Sequence, residues 1–251
     1  MKVISESPTN NEKVVLATTV YERSFRNVLD DSHWFFNCYM DKEIKKIVIV
    51  NNVNDESRGE LNSLINLFSD RADFIDHLDI KKDALEFFGC DLQETEQSYW
   101  YSIQYFCQMF YAKNLGFDYL FNVGADCPIN SFNVDDFIKD SIEILEKNHK
   151  VLLTTIPWSP GDFTETGNHE QNYFGIKDRD DLFWTSKVVS DQVFMVKISK
   201  LTGGIFNNKE NLHPFPGYGG DSFEKRFCNH LIRNDFLRSI YKKHYYTHKS
   251  F

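Results

Sequence analysis

Residues 99–128 read YWYSIQYFCQMFYAKNLGFDYLFNVGADCP, and the rest of the chain is interpreted outward from this stretch. Apolar side chains recur at helical spacing in its first half, at Tyr99, Ile103, Phe106 and Phe110. Asn114 and Gly116 are typical of the end of a helix. Residues 117–123 are strongly apolar, which predicts a short strand buried on both faces. The stretch therefore predicts a helix, a turn and a buried strand.

Asp126 follows this strand closely, within Gly124-Ala125-Asp126-Cys127-Pro128. Open α/β sheets bind ligands at the carboxyl ends of their strands. One interpretation of Asp126 is a carboxylate that faces a metal or a phosphate, because Mg²⁺ and Mn²⁺ prefer oxygen ligands. The other is a turn aspartate that caps the next segment, which the nearby proline favours. The residues alone leave both interpretations open.

Composition limits the class of protein. The chain has 251 residues, is 41% hydrophobic and carries a formal net charge of −9. No block of Lys or Arg offsets that charge, so we expect no nucleic-acid partner. The five cysteines form no CxxC pair, residues 1–11 are polar, and no apolar run reaches the roughly 20 residues of a membrane span. We expect a soluble, cytoplasmic protein with free thiols, for which peripheral membrane association stays open.

Apolar runs alternate with helical patterns along the chain. Strands are predicted at 13–20, 47–50, 72–78, 117–123, 150–155 and 187–196, and helices at 25–40, 57–68, 99–114, 134–147 and 221–238. This order predicts a single α/β domain with a mostly parallel central sheet flanked by helices. Residues 79–97 show no clear pattern. Residues 157–186 are irregular, and so long a loop is usually functional or mobile.

The end of the first strand is the usual nucleotide side of an α/β sheet. Its sequence, Thr18-Thr19-Val20-Tyr21-Glu22-Arg23, contains neither GxGxxG nor GxxxxGK[ST], which disfavours a dinucleotide fold and a P-loop. Thr18 and Thr19 could contact a base or ribose and Arg23 a phosphate. The alternative is a solvated loop between a strand and a helix.

Two further positions carry candidate chemistry. Asp221 opens a predicted helix, where it could be the N-cap and pair with Glu224 in a capping-box arrangement, and either carboxylate could also serve as a general base. His248 is a candidate second metal ligand beside Asp126, although a lone histidine is more often a surface residue.

The order of these motifs resembles the GT-A fold of nucleotide-sugar glycosyltransferases, closest to the family 2 type. VVLATTVYERSF resembles the first strand and nucleotide loop, and KKIVIVNNVNDES the second strand, which ends at Asn51 and Asn52. YFCQMFYAKNLGFDYLFNVGADCP resembles the segment that leads to the metal-binding Asp-x-Asp motif. GYGGDSFEKRF resembles the acidic motif of the acceptor side, and THKSF a C-terminal His-x-x-Ser element.

This resemblance implies transfer of a sugar from a nucleoside-diphosphate sugar, such as a UDP-sugar, to a hydroxyl of a glycan, lipid-linked or small acceptor. Residues of about 12–130 would form the nucleotide-sugar half and those of about 131–251 the acceptor half. The implied site residues fall into four groups. They are Thr18, Thr19, Tyr21, Arg23, Asn51, Asn52 and Ala125 for the nucleotide, Asp126 and His248 for Mn²⁺ or Mg²⁺, Asp221 or Glu224 for catalysis, and Trp158 and Trp184 for the acceptor.

One departure from the family pattern concerns the metal. Gly124 stands where the first acid of Asp-x-Asp is expected, so the sequence retains only Asp126. Two rival functions follow. A nucleotidyltransferase that makes nucleotide sugars would need a glycine-rich loop after the first strand, which TTVYERSF lacks. A non-catalytic nucleotide- or glycan-binding protein is compatible with the missing acid.

Overall fold

The computed structural model describes residues 14–22, 24–28, 35, 44–92, 102–129, 134–158, 176–208, 210 and 223–247. Its strands are β1 (Val14–Val20), β2 (Lys45–Val50), β3 (Asp73–Asp76), β4 (Tyr119–Val123), β5 (Val151–Thr155), β6 (Lys177–Asp178), β7 (Phe183–Ser186), β8 (Val193–Lys197) and β9 (Leu237–Tyr241). Its helices are α1 (Phe25–Val28), α2 (Asp55–Phe68), α3 (His77–Phe88), α4 (Ile103–Asn114), α5 (Asp135–Lys147) and α6 (Phe223–Arg233), and a 3₁₀ turn spans Ile198–Lys200.

The strands form one sheet in the order β3-β2-β1-β4-β8-β5-β9-β7-β6. Neighbouring strands from β3 to β4 are all parallel, as expected for strands joined through helices. From β4 onward the pairing is antiparallel except between β5 and β9. The prediction of a mostly parallel sheet is therefore wrong. The fold is a mixed α/β sheet with flanking helices, because β8 inserts antiparallel between β4 and β5.

Apolar side chains cover both faces of the sheet. On β1, Val14 and Leu16 belong to one buried cluster, and Val15 and Ala17 belong to the cluster on the opposite face. Helices α2 and α5 contribute to the first cluster, and α3, α4 and α6 to the second. This two-sided burial explains why the central strands read as continuous apolar runs rather than as alternating patterns.

Helix α3 occupies part of a segment for which the sequence showed no clear pattern. Asp76 ends β3 and caps the helix, since its carboxylate accepts a hydrogen bond from the N–H of Leu78 at 3.0 Å. Gly89 terminates the helix in a left-handed conformation, with φ of +75°. The third strand is consequently shorter than the predicted 72–78, because its end already serves as a helix cap.

The last helix also differs from its predicted length. Helix α6 ends at Arg233, and Asp235 adopts a left-handed φ of +54° before the chain enters β9. The predicted helix over 221–238 thus overran a turn and the start of a strand that pairs with both β5 and β7. Within the described ranges, no helix has the length and apolar character needed to cross a membrane.

Candidate functional site

The fold places a cleft at the carboxyl ends of β1 and β4. The chain runs from β1 outward through β2 and β3, and then returns to form β4 on the other side of β1. Such a reversal opens a crevice beyond the strand ends, where open α/β sheets bind ligands. The cleft here has a volume of about 240 Å³. Its described lining residues are Thr19, Tyr21, Gln104, Tyr105, Asn122, Gly124, Ala125, Asp126 and Gln192.

Asp126 lines this cleft, where it follows the end of β4. Its Oδ1 lies 3.4 Å from Sγ of the buried Cys127, and the same sulfur lies 3.4 Å from Oε1 of Gln192. Burial, followed by the nearby Asp126 carboxylate, raises the pKa of the Cys127 thiol above its ordinary value. Cys127 is therefore a protonated thiol between two oxygen acceptors.

The end of β1 contributes differently at its two threonines. The hydroxyl of Thr18 is buried and donates to the carbonyl of Val123 at 2.8 Å, which ties β1 to β4. Thr19 and Tyr21 line the cleft, and the Thr19 hydroxyl accepts a hydrogen bond from Nε2 of Gln108 at 2.9 Å. Arg23 lies outside the described residues.

A group of buried or half-buried amides, which we call the amide layer (Asn51, Gln104 and Gln108), lies at and behind the wall of the cleft, where Gln104 is a lining residue. Asn51 donates through Nδ2 to Oε1 of Gln104 at 3.2 Å. In the part of the chain that the structure describes, Oδ1 of Asn51 and Oε1 of Gln108 are buried without a hydrogen-bond donor. Asn52 is exposed with φ of +48°, so the two asparagines after β2 face different surroundings. Buried polar atoms without partners are uncommon and often mark functional sites.

Two buried carboxyl groups, Asp191 and Glu224, meet beside the cleft. Oε1 of Glu224 accepts the backbone N–H of Asp191 at 3.0 Å, and Oδ1 of Asp191 accepts from Nε2 of Gln192 at 2.9 Å. Burial, reinforced by Glu224, raises the pKa of Asp191 well above its ordinary value. Glu224 thus faces Asp191 and is not among the described residues that line the cleft. Sequence reasoning missed Asp191 and Gln192, because it placed both within a strand predicted over 187–196, whereas the strand begins at Val193.

The beginning of α6 packs next to the wall of the cleft. The N–H of Phe223 donates to Oγ of Ser102 at 3.2 Å, and its ring lies 4.9 Å from that of the cleft residue Tyr105, centroid to centroid. The rings of Phe194, Phe206 and Phe227 also contact the Phe223 ring. Asp221 lies outside the described residues, two positions before this anchored phenylalanine.

The C-terminal segment returns to the loop that carries Asp126. The N–H of Thr247 donates to the carbonyl of Pro128 at 3.1 Å, and that of Tyr246 to the carbonyl of Pro157 at 3.0 Å. Tyr246 also forms a β-bridge with Trp158, whose side chain is 51% exposed. His248 lies outside the described residues, directly after Thr247.

Trp184 occupies a different region of the sheet. It lies on β7, which is four strand positions from β4 in the sheet. At the usual spacing between strands, this separation is about 19 Å. The ammonium of Lys242 lies 5.3 Å from the centre of the Trp184 ring. The structure therefore brings Trp158, but not Trp184, toward the cleft loops.

The donor atoms near Asp126 fit a hard divalent cation in kind. Among the residues with described positions, no three His, Cys, Asp or Glu side chains form a metal-binding group. The carboxylate of Asp126 and the amide oxygen of Gln192 nevertheless face the same sulfur. Oxygen donors of this type suit Mg²⁺ or Mn²⁺ better than softer metals.

Comparisons with known proteins give matches in structure alone. No protein-family model matches the chain, and no curated protein matches it. Mouse xyloside xylosyltransferase 1, in its apo form, has a TM-score of 0.43 and 8% identity, covering 74% of this chain and 66% of that one. GalNAc-T7 with UDP, GalNAc and Mn²⁺ has a TM-score of 0.47 and 10% identity, covering 96% and 44%.

A putative nucleotide-diphospho-sugar transferase from Desulfovibrio desulfuricans G20 has a TM-score of 0.46 and 8% identity, covering 91% of this chain and 79% of that one. The chain thus spans less than half of the GalNAc-T7 chain and about two thirds of the xylosyltransferase. At 8–10% identity, the likeness to these three structures concerns the fold alone.

Proposed function

We propose that this protein transfers a sugar from a nucleoside-diphosphate sugar to a hydroxyl acceptor. The observation that carries the proposal is the cleft at the reversal point between β1 and β4, with Asp126 on its wall. The other described lining residues are uncharged and are mostly hydroxyls and amides. Such groups exchange hydrogen bonds with the many hydroxyls of a ribose and a sugar, while a single acid leaves room for a cation between protein and diphosphate.

The nucleotide would lie over the end of β1. Thr19, Tyr21 and Ala125 line that part of the cleft, and Asn51 lies behind it in the amide layer. Thr18 contributes by fixing β1 to β4, since its hydroxyl is bonded to a backbone carbonyl. Arg23 is proposed to contact the phosphates and Asn52 the base or ribose, as the family resemblance implies.

Asp126 would hold Mn²⁺ or Mg²⁺ against the diphosphate. When bound there, the cation would offset the negative charge that develops on the leaving diphosphate. The bond between Thr247 and Pro128 supports a role for the next residue, His248, near the same loop. Asp126 itself binds and orients; it does not transfer a proton in this proposal.

Asp221 is the proposed general base, and Glu224, the reserve candidate from the sequence, is disfavoured for that role. Glu224 is buried against Asp191, so its carboxylate is poorly placed to meet an acceptor hydroxyl. Asp221 precedes Phe223, whose ring packs on Tyr105 at the cleft wall. Trp158 is proposed to contact the acceptor sugar, since its exposed indole offers a flat apolar face and its neighbour Tyr246 also pairs with Ile129, shortly after Asp126.

Binding of nucleoside diphosphates tests the first step. We expect calorimetry with UDP, GDP, CDP and ADP to find one that binds, and more tightly with Mn²⁺ present. Asp126→Ala should remove the Mn²⁺-dependent part of the affinity. Asp178→Asn is the matched control, because that exposed acid pairs with Lys242 at the far edge of the sheet. If none of the four nucleotides binds, the proposal fails.

A second candidate, a non-catalytic nucleotide-binding protein, is favoured by the glycine at position 124. Release of nucleoside diphosphate from a panel of nucleotide sugars separates the two functions. We expect slow hydrolysis of one donor by the wild type, and a loss of sugar transfer to an acceptor in Asp221→Asn. Tight nucleotide binding without any turnover would favour the non-catalytic protein.

A further inference from the structure

We propose that Gln192 supplies the second oxygen of the cation site at Asp126, in the space that a side chain at position 124 would otherwise occupy. The inference rests on the proposed function in so far as the ligand is a divalent cation with a diphosphate. It assigns a binding role to a residue that no sequence motif marks. It also accounts for what occupies the space over Gly124.

A side chain at position 124 would require the end of the Gln192 side chain to move. The backbone of Gly124 is not in the left-handed region. A Cβ at position 124 would lie 2.8 Å from Oε1 of Gln192, 3.1 Å from Sγ of Cys127 and 3.3 Å from Oδ1 of Asp126. Two oxygen atoms and one sulfur atom therefore surround the space over this glycine. An aspartate at 124 and the present Gln192 side chain exclude each other unless the glutamine moves.

The Gln192 side chain is held with its oxygen toward Asp126. Its Nε2 donates to Oδ1 of Asp191 at 2.9 Å, which directs Oε1 toward Cys127 and the cleft. Its backbone carbonyl accepts from the N–H of Gly124 at 2.7 Å and from Nδ2 of Asn122 at 3.0 Å. A ligand oxygen fixed in this way needs little rearrangement when a cation binds.

The exchange of residues changes the charge of the site. An aspartate at 124 would give two carboxylates, whereas Asp126 with Gln192 gives one carboxylate and one neutral amide oxygen. Both are hard donors that suit Mg²⁺ and Mn²⁺. Because the site has one negative charge fewer, it attracts the free cation less strongly, and the diphosphate must supply more of the negative charge that binds the cation. We therefore expect Mn²⁺ to bind weakly alone and more tightly together with UDP.

Titration of Mn²⁺, followed by the EPR signal of the free aqua ion, tests the role of Gln192. We expect Gln192→Ala and Gln192→Met each to weaken Mn²⁺ binding about tenfold or more, as loss of groups around metal sites commonly does. Met preserves the length of the side chain, so its effect reports the oxygen and not a cavity. Asn148→Met is the matched control, because that amide accepts from the N–H of Lys150 before β5 and is not among the described residues that line the cleft.

The exchange itself provides the sharper test. In the Gln192→Ala background, Gly124→Asp should restore Mn²⁺ affinity to the wild-type level or above. In the wild-type background the same change should give no gain, because Gln192 already fills the space. Near-UV circular dichroism confirms that each variant is folded. Mn²⁺ affinity of Gln192→Met within twofold of wild type, or an equal gain from Gly124→Asp in both backgrounds, would overturn the inference.

Failure of this inference and failure of the proposed function give different results. If UDP or another nucleotide binds and the Gln192 variants keep their Mn²⁺ affinity, only the assignment of Gln192 is lost. If wild type binds no Mn²⁺ in the presence or absence of UDP, the cation site is refuted at both residues. If no nucleoside diphosphate binds even without metal, the proposed function itself is refuted.

Discussion

Replacement of Gln108 by methionine should stabilise the protein, although Gln108 is completely buried. Its Oε1 lacks a donor among the described residues, and leaving such a group buried costs about 1–3 kcal/mol. The change also removes the 2.9 Å hydrogen bond from Nε2 to Thr19. Such a neutral bond contributes about 1 kcal/mol. The free energy of unfolding should therefore rise by about 1 kcal/mol, or about 2–4 °C in Tm for a chain of this size.

Urea unfolding followed by tryptophan fluorescence measures this change, and the m-value should stay constant if the denatured state is unaffected. We expect nucleotide affinity to fall in the same variant, because the Thr19 hydroxyl loses the amide that holds it in the cleft. A gain in stability with a loss in binding is the signature of a polar group kept for function.

Asn122→Leu is the matched control. This buried amide lines the same cleft, but its Nδ2 donates to the carbonyls of Asp191 at 3.1 Å and Gln192 at 3.0 Å. Removal of a satisfied amide should destabilise the protein by about 1–3 kcal/mol. The two substitutions should therefore change the free energy of unfolding in opposite directions. If Gln108→Met destabilises the protein as much as Asn122→Leu does, the reasoning about the amide layer is refuted.

Three further predictions concern stability. Lys200→Met should lower the free energy of unfolding by about 2 kcal/mol, measured by urea denaturation, because the Lys200 ammonium donates to three carbonyls at and beyond the end of α5. Lys147→Met, at an exposed lysine, should cost under about 0.5 kcal/mol, and equal losses in the two variants would contradict the prediction. Gly59→Ala should raise Tm, since a Cβ meets nothing within 4 Å in the interior of α2, and Gly is about 1 kcal/mol less favourable than Ala there; a lower Tm would refute it. Burial lowers the pKa of His244 from 6.5, so the folded state favours the neutral ring. Wild type should therefore lose stability relative to His244→Gln as the pH falls below about 6.5, and a difference in unfolding free energy that does not change with pH would refute this.

Many of the elements were predictable from sequence because their signals are local. The run that became β1 and the apolar residues of β4 were identified from hydrophobicity alone, and α2 from its periodicity. Helix α3 was not, since its start depends on Asp76, which the sequence placed inside a strand. The antiparallel course of β8 was equally unpredictable, because an apolar run carries no information about the direction of its neighbour.

The candidate site shows the same division. The sequence by itself determined that an acid follows a buried strand, and that Thr19 and Tyr21 follow another, because covalent order places such residues at strand ends. Only the tertiary structure decided that Gln192, nearly 70 residues further along the chain, approaches Asp126 and fills the space over Gly124. It also placed Asp191 against Glu224, and Trp184 on a strand four positions from β4 in the sheet. The physical reason is that these contacts depend on strand order and pairing direction, which arise from packing across the whole sheet and not from local spacing.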